Sequence, residues 1–255
     1  MPASGLFTEE EFGYAFQQTL ESLLGPDYLA PSDCPQAILL GGQSGAGKTT
    51  LHNIFKEQFA DNVVIINGDE YRSKHPRFYE LDRQYGPDSV AHTAAWAGQM
   101  VERLIDALSS MKYNVIIEGT LRTSEVPLKT AALLAERGYS VQLALMAVKP
   151  EISLISCQIR YEQMRIAGTT PRATDPEYHK AIVEGIVDNL SVLERSTLFA
   201  KIGLYTRAKE CLYPLQGEQR AAHEVLRDVL YGPWTDEEKG HYRFLQQYLE
   251  KLRAT

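Results

Sequence analysis

The sequence predicts an α/β protein in which a five-stranded parallel sheet is covered by helices on both faces. Two observations predict this fold: five short aliphatic runs alternate with helix-like segments, and a glycine-rich turn follows the first run. Strands that are apolar on both faces and separated by helices are typical of parallel sheets, because helical crossovers cover both sides. The predicted strands are residues 37–40, 62–67, 114–119, 141–148 and 201–207.

The glycine-rich turn matches a phosphate-binding pattern in full, because residues 42–49 read Gly-Gln-Ser-Gly-Ala-Gly-Lys-Thr. In such a turn the backbone N–H groups point at phosphate oxygens, and the following helix N-terminus favours negative charge. We expect Lys48 to reach the β- and γ-phosphates and Thr49 to offer its hydroxyl to Mg²⁺. A P-loop nucleotide-binding fold is therefore predicted. The expected nucleotide-binding residues are Gly42, Gln43, Ser44, Gly45, Ala46, Gly47, Lys48, Thr49 and Thr50.

The composition is that of one ordinary globular protein, with 255 residues, 44% of them hydrophobic and 23% charged. We expect a single domain over 1–255, with an N-terminal helix (1–34), a core (35–207) and a C-terminal helical cover (208–255). The net charge of −7 argues against a broad nucleic-acid or anionic-membrane surface, since either needs a basic face.

A cytoplasmic location is expected from the cysteines and from the lack of a targeting pattern. Cys34, Cys157 and Cys211 are far apart and lack metal-ligand spacing, which is typical of a reduced interior. The first 30 residues do not read as a signal peptide. The most apolar stretch, 141–148, is too short to cross a bilayer.

Helix signals fill the segments between the strands. Thr8 and Glu11 have capping-box spacing, and the apolar stripe over 12–24 is expected to pack on the core rather than to receive a partner. A later helix has Pro127 in its first turn and Gly138 at its C-terminal end. Other helices are expected over 88–111, 150–165, 177–195 and 235–252.

A carboxylate follows the second predicted strand, in the sequence Asn67-Gly68-Asp69. Open α/β sheets bind ligands at the carboxyl ends of their strands, so Asp69 is expected near the phosphates. There it could take the proton of an acceptor hydroxyl during phosphoryl transfer. The alternative is that Asp69 caps a short helix over 70–74. We favour the catalytic role.

A polar cluster follows the third strand, where Glu118, Thr120 and Arg122 emerge together. These groups suit a sugar or a charged small molecule. Two alternatives stay open: Glu118 could hold Mg²⁺ through water, or it could form a structural ion pair with Arg122. Glu102 flanks the apolar stripe of its helix, a position where carboxylates are usually solvated.

Two arginines follow the fourth strand, Arg160 on a helix and Arg172 in an irregular stretch. Guanidinium groups over the phosphates would stabilise the charge that develops on the transferring phosphoryl group. Surface ion pairs with Glu162 or Asp175 are the alternative. No Asn-Lys-x-Asp stretch for guanine recognition follows the later strands, and the long insertions of motors are lacking. A small-molecule kinase is therefore favoured over a GTPase or motor.

Taken together, these motifs resemble the zeta toxins of epsilon/zeta toxin–antitoxin systems, particularly the PezT-type members. The resemblance covers roughly residues 35–207 and extends to the N-terminal helix. It rests on Gly-Gly-Gln-Ser-Gly-Ala-Gly-Lys-Thr (41–49), Asn-Gly-Asp-Glu-Tyr-Arg-Ser-Lys-His-Pro (67–76), Val-Ile-Ile-Glu-Gly-Thr-Leu-Arg (115–122), Val-Pro (126–127), Arg-Tyr-Glu (160–162) and Arg-Ala-Thr (172–174).

The resemblance implies a kinase that uses ATP and Mg²⁺ to phosphorylate the 3′-hydroxyl of the amino sugar in UDP-N-acetylglucosamine. By that resemblance Asp69 is the base, Lys48 is the phosphate-loop lysine, and Arg160 and Arg172 clasp the ATP phosphates. The residues implied to hold the sugar nucleotide are Glu102, Glu118, Thr120, Arg122 and Thr130.

The family also implies a partner, because its members are normally silenced by a small helical antitoxin. No helical domain of that size precedes residue 35, so the partner is expected in trans. Other readings stay open from the residues alone. The acceptor could be a nucleoside, an antibiotic hydroxyl or another sugar nucleotide, or the chain could be a regulatory nucleotide-binding protein. Tyr205 and Arg207 are candidates for contacting adenine.

Overall fold

A computed structural model describes residues 6–217 and 219–255 and contains one mostly parallel sheet. Its strand order is β2-β3-β1-β4-β5-β6. The first five strands in that order are mutually parallel, and β6 pairs antiparallel with β5. The strands are β1 Gln36–Gly41, β2 Val64–Asn67, β3 Val115–Glu118, β4 Ser140–Met146, β5 Lys201–Tyr205 and β6 Cys211–Tyr213.

The predicted α/β fold is confirmed, and the strand count is one too low. The missed strand, β6, is three residues long and returns along β5 after a short turn. It lacks a periodic apolar run, so the sequence pattern does not mark it. In the rest of the sheet, Leu40 and Asn67 both pair with Glu118. The ends of β1, β2 and β3 therefore meet at one edge.

Helices occupy every predicted helical segment, and two further helices, α4 and α10, were not predicted. The spacing of Ala222, Val225, Leu226 and Leu230 on α10 is an apolar stripe that could have been read. The helices are α1 Glu9–Leu24, α2 Thr49–Gln58, α3 Gly68–Tyr71, α4 Phe78–Tyr85, α5 Ser89–His92, α6 Ala94–Ser110, α7 Glu125–Glu136, α8 Pro150–Ile166, α9 Pro176–Glu194, α10 Ala222–Tyr231 and α11 Asp236–Arg253.

The long helix predicted over 88–111 is divided into α5 and α6. The break lies at Thr93, whose φ of −98° and ψ of 2° are not helical. The Thr93 hydroxyl accepts a hydrogen bond from Arg72, which lies on the segment after β2. A tertiary contact therefore accompanies the break, which sequence periodicity could not show.

Two hydrophobic clusters cover the two faces of the sheet. On β1, Ala37 and Leu39 belong to one cluster, whereas Ile38 and Leu40 belong to the other. This alternation shows that the strand is buried on both sides, as expected for a parallel sheet. The first cluster includes Phe12, Trp96, Leu104, Leu134, Leu190 and Leu226. The second includes Leu51, Phe55, Ile152, Ile159, Leu245 and Leu249.

The terminal helices both pack on this core. Thr8 and Glu11 form the predicted capping box of α1, and Phe12 is 1% exposed against the indole of Trp96. The favoured core-packing role of α1 is thereby confirmed. At the other end, α11 packs on α8 and buries Leu245 and Leu249. No helix within 6–217 or 219–255 has both the length and the apolarity needed to cross a membrane.

Candidate active site

One cleft of about 770 Å³ opens at the edge where β1, β2 and β3 end. This is the edge at which open α/β sheets bind their ligands. We call the loop of residues 42–50 the phosphate wall, and Asp69, Glu102, Glu118 and Thr120 the acceptor wall. The residues around the cleft include Ser44, Gly45, Gly47, Lys48, Thr49, Thr50, Asp69, Arg72, Gly98, Glu102, Glu118, Thr120, Arg160 and Arg207.

The conformation of the phosphate wall depends on glycine. Gly42, Gly45 and Gly47 all have positive φ, a region that other residues rarely adopt. At Gly45 the space is closed as well, because a Cβ there would lie 2.1 Å from the carbonyl oxygen of Ser153. The loop can therefore approach α8 only if residue 45 lacks a side chain.

A buried polar chain holds the phosphate wall from below. The Gln43 amide Nε2 donates to the Val148 carbonyl at 2.9 Å and to the Ser153 hydroxyl at 3.2 Å. Ser153 Oγ lies 2.9 Å from Nε2 of His179, on α9. Burial lowers the pKa of His179, which favours its neutral form. Sequence reasoning placed Gln43 in the loop but gave no role to Ser153 or His179.

Arg207 grips the outer side of the same loop. Its Nε donates to the Ala46 carbonyl at 3.1 Å, and its Nη2 donates to Ser156 Oγ at 2.9 Å and to the Gly45 carbonyl. These hydrogen bonds fix the carbonyl groups of Gly45 and Ala46, and so hold the outer side of the loop in place. Tyr205, the other adenine candidate, is buried in the core against the ring of Phe55 and does not line the cleft.

Lys48 and Glu118 meet at the floor of the cleft. Lys48 Nζ donates to the Gly42 carbonyl at 2.9 Å and lies 3.8 Å from Glu118 Oε1. Burial lowers the pKa of Lys48, against the opposing charge of Glu118. For Glu118, burial works against ionisation, but His52 and Lys48 outweigh it and lower the pKa. His52, missed from sequence, has its Nε2 3.1 Å from Glu118 Oε2.

These contacts exclude one alternative for Glu118. The alternative of a structural ion pair between Glu118 and Arg122 is wrong, because Glu118 pairs with Lys48 and His52 instead. The Arg122 guanidinium lies 5.2 Å from the ring centroid of Tyr178, on α9.

Asp69 lies in the first turn of α3 and lines the cleft. The alternative role as the N-cap of a helix over 70–74 is wrong, since α3 begins at Gly68 and Asn67 caps it by accepting from the Asp69 N–H at 3.2 Å. The Asp69 side chain is 49% exposed. Its carboxylate is thus presented to the cleft by a capped helical turn.

Two arginines hold Asp69. Arg72 Nε donates to Oδ1 at 2.9 Å, and Arg172 Nη1 donates to the Asp69 carbonyl at 3.1 Å and lies 4.0 Å from Oδ2. Burial opposes ionisation, but Arg72, with help from Arg172 and Arg160, holds the pKa of Asp69 below its ordinary value. Asp69 is therefore ionised near neutral pH, as a proton acceptor must be.

The alternative of surface pairs for Arg160 and Arg172 is also wrong. Glu162 pairs with Arg165 at 2.7 Å, and Asp175 caps α9 by accepting from the Glu177 N–H. Arg160 lines the cleft, donates from Nη2 to Thr174 Oγ1 at 3.4 Å, and has a buried Nε without a hydrogen-bond partner within the described chain.

The acceptor wall contains most, but not all, of the residues expected there. Glu102 and Thr120 line the cleft with Gly98 of α6, whereas Arg122 and Thr130 are outside its lining. Arg122 lies away from the cleft because Leu121, with a φ of 58°, turns the chain after Thr120. Asn189 of α9 holds this turn by donating from Nδ2 to the Leu121 carbonyl at 3.0 Å and to the Arg122 carbonyl at 2.8 Å.

The cleft also offers oxygen ligands for Mg²⁺, which prefers carboxylates, hydroxyls and phosphates. Thr49 and Glu118 both line it, and Oε2 of Glu118 is buried without an aligned hydrogen bond among the described residues. The described ranges contain no group of three or more His, Cys, Asp or Glu side chains able to hold a metal. This donor set fits an ion that takes its remaining ligands from phosphates and water.

Comparison with known proteins identifies the family. The model of the Zeta toxin family matches residues 25–218, which is most of the chain. This chain belongs to the zeta toxin family. It is 47% identical to the Toxin PezT of Streptococcus pneumoniae, over 96% of this chain and 97% of that protein. It is also 38% identical to a Toxin zeta of Streptococcus pyogenes, over 81% of this chain and 72% of that protein.

Solved structures agree with the family and with the fold. A chain from the PezAT chromosomal toxin–antitoxin system of Streptococcus pneumoniae matches with a TM-score of 0.87 and 44% identity, over 98% of this chain and 99% of that one. A chain of the AvrRxo1-ORF1:ORF2 complex with ATP matches with a TM-score of 0.61 at 16% identity, over 96% of this chain and 83% of that one, and shows the fold alone. The resemblance read from the sequence motifs is thereby confirmed.

Proposed function

We propose that this zeta toxin family member is an ATP- and Mg²⁺-dependent kinase that phosphorylates the 3′-hydroxyl of the amino sugar in UDP-N-acetylglucosamine. The observation that carries the proposal is the position of Asp69: an ionised carboxylate held by two arginines lines the same cleft as the phosphate-loop lysine. A protein that only binds nucleotide needs no proton acceptor there, whereas phosphoryl transfer to an alcohol does.

In the proposed reaction the acceptor hydroxyl oxygen bonds to the γ-phosphorus of ATP, and the bond from that phosphorus to the bridging oxygen of ADP breaks. The hydroxyl proton passes to the carboxylate of Asp69. Lys48, Arg160 and Arg172 offset the negative charge on the phosphoryl oxygens. Bound Mg²⁺ would neutralise phosphate charge, and Thr49 is the residue that would hold it through its hydroxyl.

The acceptor wall supports a polar sugar as the second substrate. Glu102, Glu118 and Thr120 supply carboxylate and hydroxyl groups that can hydrogen-bond sugar hydroxyls and an amide. The cleft volume of about 770 Å³ falls within the range of roughly 300–1,000 Å³ that is usual for small-molecule sites. In this proposal Glu102, Glu118 and Thr120 contact the sugar directly. Arg122 and Thr130, which lie outside the cleft lining, belong to the surroundings of that contact.

We further propose that the chain is the toxin of a toxin–antitoxin pair located in the cytoplasm, with a small helical antitoxin in trans. The support is likeness: the Streptococcus pneumoniae chain that matches over nearly its full length comes from the PezAT toxin–antitoxin system. Co-expression with an antitoxin of that type, followed by copurification, tests this part. Separate elution of the two chains would argue against it.

The enzymatic proposal is tested by product analysis. Purified protein is incubated with Mg-ATP and, in separate reactions, UDP-N-acetylglucosamine, UDP-glucose, a nucleoside and an aminoglycoside. We expect one phosphoryl group to be added to UDP-N-acetylglucosamine, seen by mass, and phosphorus–proton coupling to place it on the 3′-oxygen. Phosphorylation of another acceptor alone would show that the proposed substrate is wrong and that the proposed kinase activity is right. ATP hydrolysis with no phosphorylated acceptor would contradict the proposal.

A further inference from the structure

The two carboxylate oxygens of Asp69 have different surroundings. Oδ1 accepts a hydrogen bond from Arg72 Nε at 2.9 Å, whereas Oδ2 lies 4.0 Å from Arg172 Nη1, beyond hydrogen-bond distance. A hydrogen bond occupies the lone pair that it engages, so Oδ2 is the better placed oxygen to receive a proton. Sequence reasoning gave no role to Arg72.

Arg72 is itself fixed by contacts on the other side of its guanidinium. Its Nη1 donates to the Val90 carbonyl at 2.8 Å and to Thr93 Oγ1 at 3.1 Å. Thr93 is 1% exposed and lies at the junction of α5 and α6. Because Arg72 bridges this junction and Asp69, the direction of the carboxylate depends on α6, the helix that carries Glu102.

We propose that Arg72 is a positioning residue that holds Oδ1 of Asp69 and thereby reserves Oδ2 for the proton of the acceptor hydroxyl. This inference rests on the kinase activity proposed above. Arg72 is engaged through both Nε and Nη1, so its role differs from that of Arg160, whose Nε lies buried in the same cleft without a hydrogen bond in the described chain.

The charges around Asp69 give the inference a second consequence. The groups that face its carboxylate are Arg72, Arg172 from the segment before α9, Arg160 from α8, Lys48 from the phosphate wall and Glu118 from β3. Among the cations, Arg72 does most to hold the pKa of Asp69 low. Its removal should therefore make the carboxylate protonate at higher pH.

The test compares Arg72→Gln and Arg72→Lys with the wild-type enzyme, using Mg-ATP and UDP-N-acetylglucosamine across a range of pH. We expect Arg72→Gln to lower kcat by about 10- to 100-fold, because small misplacements of reacting groups have effects of that size. In the plot of kcat against pH, the fall in kcat on the acid side should move to higher pH, while ATP affinity stays within about twofold of the wild-type value. Arg72→Lys keeps the positive charge but loses the planar set of guanidinium donors, so the acid side of its plot should move less than that of Arg72→Gln.

A merely structural role would lower kcat without moving the acid limb. That result, or wild-type kcat in Arg72→Gln, would overturn the inference. If Arg72→Gln fails to fold, Thr93→Val removes one hydrogen bond from Arg72 and should still lower kcat by about two- to tenfold. Unchanged kcat and an unmoved acid limb in that variant would also overturn it.

Asp69→Asn separates this inference from the proposed function. Wild-type turnover by Asp69→Asn would show that Asp69 is not the base, and the inference about Arg72 would then fail as well. An inactive Asp69→Asn beside a fully active Arg72→Gln would leave the proposed function standing and reject only the role of Arg72.

Discussion

The two walls of the cleft are built by different means. The phosphate wall is one continuous segment, 42–50, whose shape depends on three positive-φ glycines and on groups that grip its backbone. The acceptor wall takes single side chains from α3, α6 and the end of β3, and distant segments contact two of them: Arg172 donates to the Asp69 carbonyl, and Lys48 and His52 lie against Glu118. One wall is therefore sensitive to backbone space, and the other to tertiary contacts.

The largest effect is expected from Gly45→Ala. A Cβ at this position would lie 2.1 Å from the Ser153 carbonyl, and φ is +74°. We expect loss of detectable ATP binding and of turnover, measured by calorimetry and product assay. Gly240→Ala, on α11 and outside the cleft lining, is the matched control because its Cβ would meet no atom within 4 Å. Equal ATP affinity in Gly45→Ala and wild type would contradict the space argument.

Lys48→Met should have the next largest effect. The variant removes a buried cation that offsets phosphate charge in the transition state, so we expect kcat/KM to fall by about 10²- to 10³-fold and ATP binding to weaken. Lys129→Met, on the exposed side of α7, is the control for loss of charge alone. If Lys48→Met matched that control in both measurements, Lys48 would have no part in the reaction.

A smaller and more selective effect is expected from Asn189→Asp. This change keeps the shape but removes the Nδ2 donor that holds the left-handed turn at Leu121. We expect the KM for the acceptor to rise by about tenfold, through roughly 1–2 kcal/mol of lost loop stability, with ATP affinity unchanged. Asp188→Asn, one residue earlier and exposed, is the control. An equal loss of affinity for both substrates would show that the walls are not independent.

The smallest effect concerns pH and His179 below the phosphate wall. Burial lowers the pKa of His179 in the folded protein, so the unfolded chain binds a proton first as pH falls below about 6.5. Its contribution to stability is therefore complete above that pH and lost as pH falls further. Chemical denaturation at several pH values should show a shallower decline in His179→Gln than in wild type. If stability falls equally with pH in His179→Gln and in wild type, groups other than His179 cause the acid sensitivity.

The two walls also differ in how far the sequence predicts them. The phosphate wall could be read because its residues are consecutive and each has a chemical reason to stand at its place. Asp69 and Glu118 could be placed at the cleft because parallel strands end at a common edge. Arg160 lies on α8, and the residues alone left a surface ion pair open for it. Nothing in that reasoning states which groups they touch.

What the sequence did not predict comes from contacts between distant segments. Periodicity joins α5 to α6, but Thr93 instead meets Arg72. Spacing places Arg122 beside Glu118, but the left-handed Leu121 and the two hydrogen bonds of Asn189 accompany its turn toward Tyr178. His52 and His179 have ordinary positions on helices, and only the folded chain brings them to Glu118 and Ser153. Arg72 is three residues from Asp69, so helical spacing allows their contact, but the Val90 and Thr93 contacts that fix Arg72 come from the fold.

The central claim is that Asp69 receives the proton of the acceptor hydroxyl. Its most direct test is single-turnover transfer from ATP to UDP-N-acetylglucosamine by Asp69→Asn, with ATP binding measured on the same preparation. The account predicts a loss of about 10²- to 10⁴-fold in the transfer rate, the usual contribution of a general base, with ATP affinity within about twofold of wild type. Transfer at the wild-type rate, with ATP bound normally, would contradict it.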